Sequence, residues 1–346
     1  MLIYDIKFSE LTARLESWGE PKYRAEQIWD GIYLHYYSSF EEFSSLPKSL
    51  IAKLSETFTF EVLRPLDKLV SSDGKTIKTL FQLKDGLSVE SVLMYYTRRN
   101  TICISTQVGC AMGCLFCATG QMGFKRHLSI GEIVAQVIYY SRELSFLGKS
   151  LTNIVIMGMG EPFHNYKNTL GAIDILNDPN GYNFGARRIT ISTVGLIPAI
   201  RKFTQEKRQV NLAISLHAAE DRLRSSMLPI NKKFPIDDLF NVCREYTQAT
   251  HRRITFEWAL VEGVNDTPDQ ARMLAKRLKG MLCHVNAIPL NPTTAFNGKA
   301  TPLQKAIQFR DTLIREGIPC TVRIGRGIDI QAGCGQLAMK GTGSDD

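Results

Sequence analysis

The spacing of hydrophobic residues divides the chain into a helical start, a strand-rich stretch and a long alternating region. Three amphipathic helices are predicted within residues 1–60, on the apolar positions Leu11, Leu15 and Trp18, then Ala25, Ile28 and Ile32, then Leu50, Ile51 and Leu54. Between residues 61 and 99 the runs are short and alternating, as at 76–81, and turn signals such as Asp85-Gly86 separate them. We therefore expect a small N-terminal helical domain over residues 1–60 and a strand-rich connector over residues 61–99.

Beyond residue 100, strand-like runs alternate with helical stretches. The six predicted strands are residues 102–105, 154–157, 189–192, 212–215, 254–258 and 285–288. This order predicts an α/β fold with a parallel sheet, and six units make a partial (β/α)6 TIM-like barrel. Helices are predicted to begin after N-cap residues at Ser129 and Thr301. We assign residues 100–337 to the barrel with its C-terminal loop, and expect residues 338–346 to form a flexible tail.

Composition and charge add expectations about compartment and partners. Of the 346 residues, 44% are hydrophobic and 22% are charged, and no apolar run is long enough to span a bilayer. The eight cysteines, several at metal-ligand spacing, favour reduced thiols over a disulfide framework. The formal net charge of +8 favours a polyanionic partner. We therefore expect a cytoplasmic protein that does not enter a membrane.

Three cysteines within eight residues are the strongest chemical signal in the chain. Cys110, Cys114 and Cys117 are spaced to wrap a metal or a cluster, but no fourth cysteine lies nearby to close a structural zinc site. An iron–sulfur cubane held by three cysteines leaves one iron open for chemistry. This spacing, with Phe116 before the last cysteine, resembles the signature of the radical S-adenosylmethionine (SAM) enzymes. A degenerate zinc knuckle or a chance cluster of cysteines is the alternative interpretation.

Polar or glycine-rich residues follow most of the predicted strands. In a barrel of this kind, the carboxyl ends of the strands are where ligands bind. For SAM, Glu161 suits the ammonium group, and Ser192 and Asn291 suit hydroxyl and carboxylate groups. The candidate SAM-binding residues are Gly160, Glu161, Ser192, Ser215, Leu216, His217 and Asn291. Each residue alone is weak evidence for SAM binding, because a serine after a strand is usually a turn residue and a lone histidine is usually structural.

The other five cysteines divide by their neighbours. Cys243, Cys283 and Cys320 lie on apolar faces and are predicted to be structural. Cys334 lies in a glycine-flanked loop, Gly333-Cys334-Gly335, which predicts either an accessible reactive thiol or a loop cysteine without a task. Position alone predicts that Cys103 is a core residue.

Seven segments carry a resemblance to a known family: residues 107–110, 116–121, 157–162, 256–260, 263–266, 289–292 and 332–337. Together they resemble the RlmN/Cfr family of radical SAM RNA adenine methyltransferases over nearly the whole chain. Within it, Glu161-Pro162 and Phe256-Glu257-Trp258 favour the branch that methylates carbon 2 of adenosine in 23S rRNA and tRNA. Residues 327–330 are as typical of the carbon-8 branch, which stays an alternative.

The resemblance implies a reaction and its residues. It implies a 4Fe-4S cluster on Cys110, Cys114 and Cys117, and two SAM molecules per turnover. Cys334 would be the S-methylcysteine intermediate, and Cys103 would release the product by a transient disulfide with Cys334. Glu90 matches the family's proton acceptor, although its spacing alone predicts a solvent-facing strand residue. The resemblance also implies 23S rRNA and tRNA substrates, an electron donor such as flavodoxin, and a monomer.

RNA would need basic contacts, and the N-terminal domain is one candidate surface. Six basic pairs are further candidates for phosphate contacts: Arg98-Arg99, Lys125-Arg126, Arg187-Arg188, Lys207-Arg208, Lys232-Lys233 and Arg252-Arg253. Two other functions stay open at this point. One is a radical SAM activase or oxidoreductase without a methylated cysteine, and the other is a metal-stabilised RNA-binding module.

Overall fold

The N-terminal segment forms three helices around an aromatic core. The computed structural model describes residues 1–293, 295–323 and 325–338. The first helices are α1 (Phe8–Ser17), α2 (Tyr23–Tyr33) and α3 (Lys48–Thr57). Trp29 on α2 is fully buried and its ring lies 4.6 Å from that of Tyr33. The flexible tail expected at 338–346 lies outside the described residues from residue 339 onward.

A ten-stranded sheet runs through the rest of the described chain. Its first four strands are antiparallel: β1 (Arg64–Val70), β2 (Thr76–Gln82), β3 (Ser88–Tyr96) and β4 (Arg99–Cys103). A small hairpin sheet then pairs β5 (Gln107–Gly109) with β6 (Phe124–His127). The strands that follow pair in parallel, beginning from β4: β7 (Asn153–Ile156), β8 (Ile189–Thr193), β9 (Asn211–Ser215), β10 (Ile254–Leu260), β11 (Cys283–Pro289) and β12 (Cys320–Val322).

Helices join the parallel strands. They are α4 (Ala118–Gln121), α5 (Ile130–Ser145), α6 (Tyr166–Asn177), α7 (Ile197–Glu206), α8 (Asp221–Met227), α9 (Ile236–Thr250), α10 (Pro268–Leu278) and α11 (Leu303–Arg315). The parallel strands alternate in character, because Ile189 and Ile191 on β8 are fully buried in the core while Thr190 and Ser192 line cavities. On β8, this alternation turns the polar side chains toward the inside of the partial barrel. Among the described residues, no helix is long and apolar enough to cross a membrane.

The predicted α/β architecture, with a helical start and a partial barrel, is confirmed, and three details differ. A seventh parallel strand, β12, was missed because it has only three residues. The strands expected as a connector instead extend the barrel sheet directly through β4. The helix predicted to be capped by Thr301 begins at Leu303, because the Thr301 hydroxyl donates to Asp266 (3.1 Å). Ser129 does cap α5, accepting from the Glu132 amide.

Candidate active site

A cavity at the carboxyl ends of the parallel strands collects most of the candidate residues. We call it the upper cavity. It is lined by the three clustered cysteines together with Gly160, Glu161, Ser192, Ser215, His217, Asn291 and Cys334. Among the candidate SAM-binding residues, Leu216 is the exception, because its side chain is fully buried in the hydrophobic core behind the cavity. Residues from separate loops along the barrel sheet therefore meet in one space.

The cysteine loop is shaped by a tight approach between two glycines. Gly109 has φ +71°, and a Cβ there would overlap the Gly123 carbonyl, which also accepts from the Cys110 amide (3.0 Å). Cys117 lies at the N-terminus of α4. Burial raises the pKa of Cys110 to about 12 and raises those of Cys114 and Cys117. These thiols are therefore neutral until a metal displaces their protons.

The three thiols fit an iron–sulfur cluster by their chemistry. They face one cavity, and thiolates are the usual ligands of such clusters. A cubane binds each thiolate to a different iron, so the sulfurs need not converge on one point. Within the described ranges, no three His, Cys, Asp or Glu side chains are placed to hold a single metal ion.

Glu161 is a buried carboxylate with preset hydrogen bonds. Its Oε1 accepts from the Phe163 amide (3.0 Å) and its Oε2 from the Val194 amide (2.9 Å). Burial raises its pKa to about 7, and the two amides oppose that shift. Gly160 beside it has φ +103°, and a Cβ there would come within 2.6 Å of the Gln107 side chain. The carboxylate is held facing the cavity with lone pairs free for a cationic ligand.

Asn291 has an unsatisfied hydrogen-bond acceptor at the upper cavity. Its Nδ2 donates to the Cys334 carbonyl (3.0 Å), but its buried Oδ1 has no hydrogen-bond partner among the residues that the structure describes. Leaving such an atom unsatisfied costs about 1–3 kcal/mol. A ligand with a hydroxyl or ammonium group would satisfy it, so the cavity fits SAM at this point.

His217 has both a structural role and a surface in the upper cavity. Its Nδ1 accepts from the Ala259 amide (2.9 Å), and its ring lies edge-on to Phe116 at 4.8 Å. Burial lowers its pKa to about 3, so the imidazole is neutral. One nitrogen is structural, while the ring still lines the cavity.

Cys334 and Cys103 share a second, narrow cavity of about 80 Å³, which we call the thiol cavity. Val92, Met94 and Arg323 also line it. Burial raises the pKa of Cys103 to about 12, and the neighbouring Cys334 is a further cause. All eight cysteines are free, so the two are not bonded in this structure. The sequence places them 231 residues apart, and the fold brings them to one space.

The loop that carries Cys334 is exposed at the cysteine but held by hydrogen bonds just after it. The Gly335 carbonyl accepts from the Ala118 amide (2.7 Å), and the Leu337 carbonyl accepts from the Thr119 hydroxyl (2.7 Å). Gln336 donates to the Pro292 carbonyl (2.9 Å). The flanking glycines therefore serve a shaped turn, and the loop is anchored to the cluster helix α4.

Glu90 is buried, so the solvent-facing position expected from its spacing is wrong. It lies on β3 between two neighbouring strands, and its side chain has no exposed surface. The Lys78 ammonium lies 3.0 Å from Oε1, and Oε2 accepts from the Ala338 amide (2.9 Å). Lys78 also donates to the Gln331 carbonyl (3.5 Å). One buried ion pair thus holds both ends of the segment that carries Cys334.

Arg224 is a buried residue that holds two loops of the site together, and the sequence did not reveal it. It is 1% exposed, and its guanidinium donates to the carbonyls of Val194 (2.6 Å) and Leu216 (3.2 Å) and to Asn231 Oδ1 (2.8 Å). These carbonyls belong to the loops after β8 and β9, which also carry cavity residues. The neighbouring Arg222 is exposed, so no local pattern marks Arg224 as buried.

Several of the basic pairs expected to contact phosphates have partners within the chain. Arg126 is paired with Asp85 and Glu132, and Arg208 with Asp174 and Glu206. Arg99 instead lies over the Tyr96 ring, with 4.9 Å between its guanidinium carbon and the ring centre. The pairs are therefore not equivalent as candidate RNA contacts.

Two family models match the chain. Residues 104–275 match the radical SAM superfamily, and residues 2–60 match the ribosomal RNA large subunit methyltransferase N-terminal domain. The dual-specificity RNA methyltransferase RlmN 1 of Myxococcus xanthus is 46% identical over 97% of this chain and 93% of its own length. A probable dual-specificity RNA methyltransferase RlmN of Bacillus cereus is also 46% identical, over 98% of this chain and 93% of its own.

A solved structure is also similar. The crystal structure of a radical SAM methyltransferase from Sphaerobacter thermophilus superposes with a TM-score of 0.96 at 48% identity. The match covers 98% of this chain and all of that one. The similarity therefore extends over the helical start, the extended sheet and the barrel.

Proposed function

Because the chain belongs to the RlmN family of radical SAM methyltransferases, we propose that it methylates carbon 2 of a specific adenosine in 23S rRNA and in tRNA. One observation carries the proposal. Cys334 lines both the upper cavity, with the cluster cysteines, and the thiol cavity, with Cys103. A cysteine in that position is able to receive a group on one side and deliver it on the other.

The chemistry of the target explains why this arrangement suits it. Carbon 2 of adenine has no nucleophilic lone pair, so it cannot attack the electrophilic methyl group of SAM. When bound, the cluster and two SAM molecules supply a methyl group and a 5′-deoxyadenosyl radical, with the electron from a donor such as flavodoxin. The thiols and carboxylates of the chain then have to hold the methyl carbon, join it to adenine and release the methylated product.

Each proposed residue has one task. Cys334 carries the methyl group as a thioether, and its activated carbon joins adenine in a protein–RNA adduct. Restoring the aromatic ring then removes a proton from carbon 2, which Glu90 accepts, and one electron, which the bound cluster would take up. Cys103 attacks the sulfur of Cys334, and a disulfide forms as the carbon–sulfur bond breaks. The electron pair of that bond stays on the carbon, which takes up a proton and becomes the methyl group of the product. Glu161 and Asn291 orient SAM, together with Gly160, Ser192, Ser215 and His217, while the Leu216 backbone supports the loop.

Product analysis tests this function directly. Cluster-loaded protein is reduced in the presence of SAM and unmodified tRNA or 23S rRNA, and the RNA is digested to nucleosides. Mass spectrometry against synthetic 2-methyladenosine and 8-methyladenosine identifies the product. We expect 2-methyladenosine alone; 8-methyladenosine would move the enzyme to the carbon-8 branch, and SAM cleavage without RNA methylation would favour an activase.

Replacing Asn291 with leucine will separate ligand binding from stability. Leucine has nearly the same shape, and it removes both the unpartnered Oδ1 and the Nδ2 donor to the Cys334 carbonyl. Because these two losses have opposite effects on stability, we expect the unfolding free energy without SAM to change by about 1 kcal/mol or less. SAM should bind roughly 10–100-fold more weakly, as loss of a hydrogen bond to a charged group implies. Equilibrium dialysis with labelled SAM measures this. Asn168→Leu, outside the cavity, is the control, and unchanged SAM affinity in Asn291→Leu would refute the contact.

Replacing Cys103 with alanine will trap the covalent intermediate. Without the resolving thiol, the adduct between Cys334 and RNA has no route to release, so we expect a protein band shifted by the mass of the RNA on denaturing gels. Cys283→Ala, which removes a buried cysteine elsewhere, should show no such band. Free methylated RNA from Cys103→Ala at the wild-type yield would exclude the resolving role.

A further inference from the structure

A large polar cavity lies at the opposite end of the barrel from the upper cavity. We call it the lower cavity; its volume is about 560 Å³. It is lined by inward-facing polar side chains near the amino ends of the parallel strands, among them Thr101, Asn153, Thr190, Thr255, His284 and Asn286. A closed (β/α)8 barrel fills this space with branched apolar side chains. Here the alternation of the strands leaves it open and hydrophilic.

Three arginines and a tyrosine surround this cavity. The guanidinium carbons of Arg99 and Arg326 lie 4.9 and 4.3 Å from the centre of the Tyr96 ring. Arg323 donates to the Tyr96 hydroxyl (3.4 Å). None of the three arginines is in an ion pair within the described part of the chain. Glu257 is the one carboxylate among the described residues that line the cavity.

The lower cavity continues into the thiol cavity. Val155, Met157 and Arg323 line both. Strand β3 runs along the same route, because alternation places Tyr96, Met94, Val92 and Glu90 on one face. Tyr96 lines the lower cavity, while Met94 and Val92 line the thiol cavity. Val92 is paired with Cys103 and lies four residues from Tyr96, roughly 13 Å along the strand.

The proposed function requires a second approach to Cys334. SAM would occupy the upper cavity, on the side where Glu161 and Asn291 lie. A base that reacts with the carbon on Cys334 has to arrive from another direction. The lower cavity offers that approach and has the positive charge that a polynucleotide needs.

We propose that the lower cavity is the entry site for the target nucleotide, an inference that rests on the proposed function. The guanidiniums of Arg99 and Arg326 contact the phosphates on either side of the extruded nucleotide, and Tyr96 holds them in place. The base passes along β3 into the thiol cavity, between Cys103 and Cys334. The site therefore takes a single-stranded or flipped purine nucleotide within an RNA chain.

Removing the charges of Arg99 and Arg326, which we call the mouth of the lower cavity, tests the phosphate contacts. The double variant Arg99→Ala/Arg326→Ala is compared with Arg272→Ala/Lys276→Ala, which removes the same charge from exposed positions on α10. The probe is an unmodified tRNA transcript, titrated by fluorescence anisotropy at several salt concentrations. We expect affinity to fall on the order of tenfold or more in the mouth variant only, with the slope of log K against log salt reduced by about 1.4. Cluster absorbance and circular dichroism verify folding.

A bulky side chain within the passage tests the route. Thr101 is paired with Met94 and lies two residues before Cys103, so Thr101→Phe narrows the way to the thiols. We expect tRNA affinity within about threefold of wild type, with methylation reduced at least 100-fold. Wild-type methylation in Thr101→Phe, or equal loss of affinity in the two charge variants, would overturn the entry site. If the wild-type protein modifies no RNA, the proposed function fails. The affinity comparison still decides whether Arg99 and Arg326 at the lower cavity contact RNA.

Discussion

Replacing Cys334 with alanine is expected to abolish methylation of RNA while leaving SAM cleavage in place. Alanine has no atom that can carry a methyl group, so the transfer has no intermediate. The three cluster cysteines and the SAM contacts are unchanged, so 5′-deoxyadenosine should still form under reduction. The measurement is paired: methyladenosine in digested RNA and 5′-deoxyadenosine in solution, both by mass spectrometry.

The control for this variant is Cys320→Ala. Cys320 is buried on β12, away from both cavities, so its replacement removes a cysteine without touching the route of the carbon. We expect it to retain methylation at a small cost in stability. Methyladenosine produced by Cys334→Ala would refute the methyl-carrier role and favour an enzyme that uses the cluster alone. Loss of both products would indicate a damaged site instead.

Local patterns in the sequence predicted most of the elements that position the site. Strand alternation and the Ser129 capping box depend on neighbouring residues, so they can be recognised in a window of a few positions. Because parallel strands end at one edge, the polar residues after them were expected to converge, and all the candidate SAM-binding residues except Leu216 line the upper cavity. Leu216 was misplaced because its neighbours Ser215 and His217 face the cavity and its own side chain turns away.

What escaped prediction depends on contacts distant in sequence. Glu90 looked solvent-facing because its cover, residues 331–338, lies about 240 residues further along the chain. Arg224 carries no local signal in the sequence, because the carbonyls it binds belong to loops of other strands. Thr301 was expected to cap its helix, but an aspartate from another loop takes its hydroxyl. In each case the outcome depends on a tertiary partner that no local pattern reveals.

Replacing Lys78 with methionine is expected to destabilise the protein by about 3–5 kcal/mol. Lys78 and Glu90 are 5% and 0% exposed, so removing the lysine leaves a buried carboxylate without its counter-charge. Urea unfolding, analysed with a common slope, measures the change. Lys305→Met is the matched control, because its pair with Glu262 has a similar 3.2 Å separation but is 52% and 35% exposed. That variant should change by about 0.5 kcal/mol or less.

The double variant Lys78→Met/Glu90→Gln separates the structural role of the pair from the proposed catalytic one. It removes both charges while the glutamine can still accept from the Ala338 amide, so most of the lost stability should return. If Glu90 accepts the proton from carbon 2, methylation will stay low in this variant even though the protein is stable. Lys78→Arg keeps the positive charge, so it should retain more stability and more methylation activity than Lys78→Met. Recovery of methylation together with stability in the double variant would show that Glu90 serves only to hold the Cys334 segment.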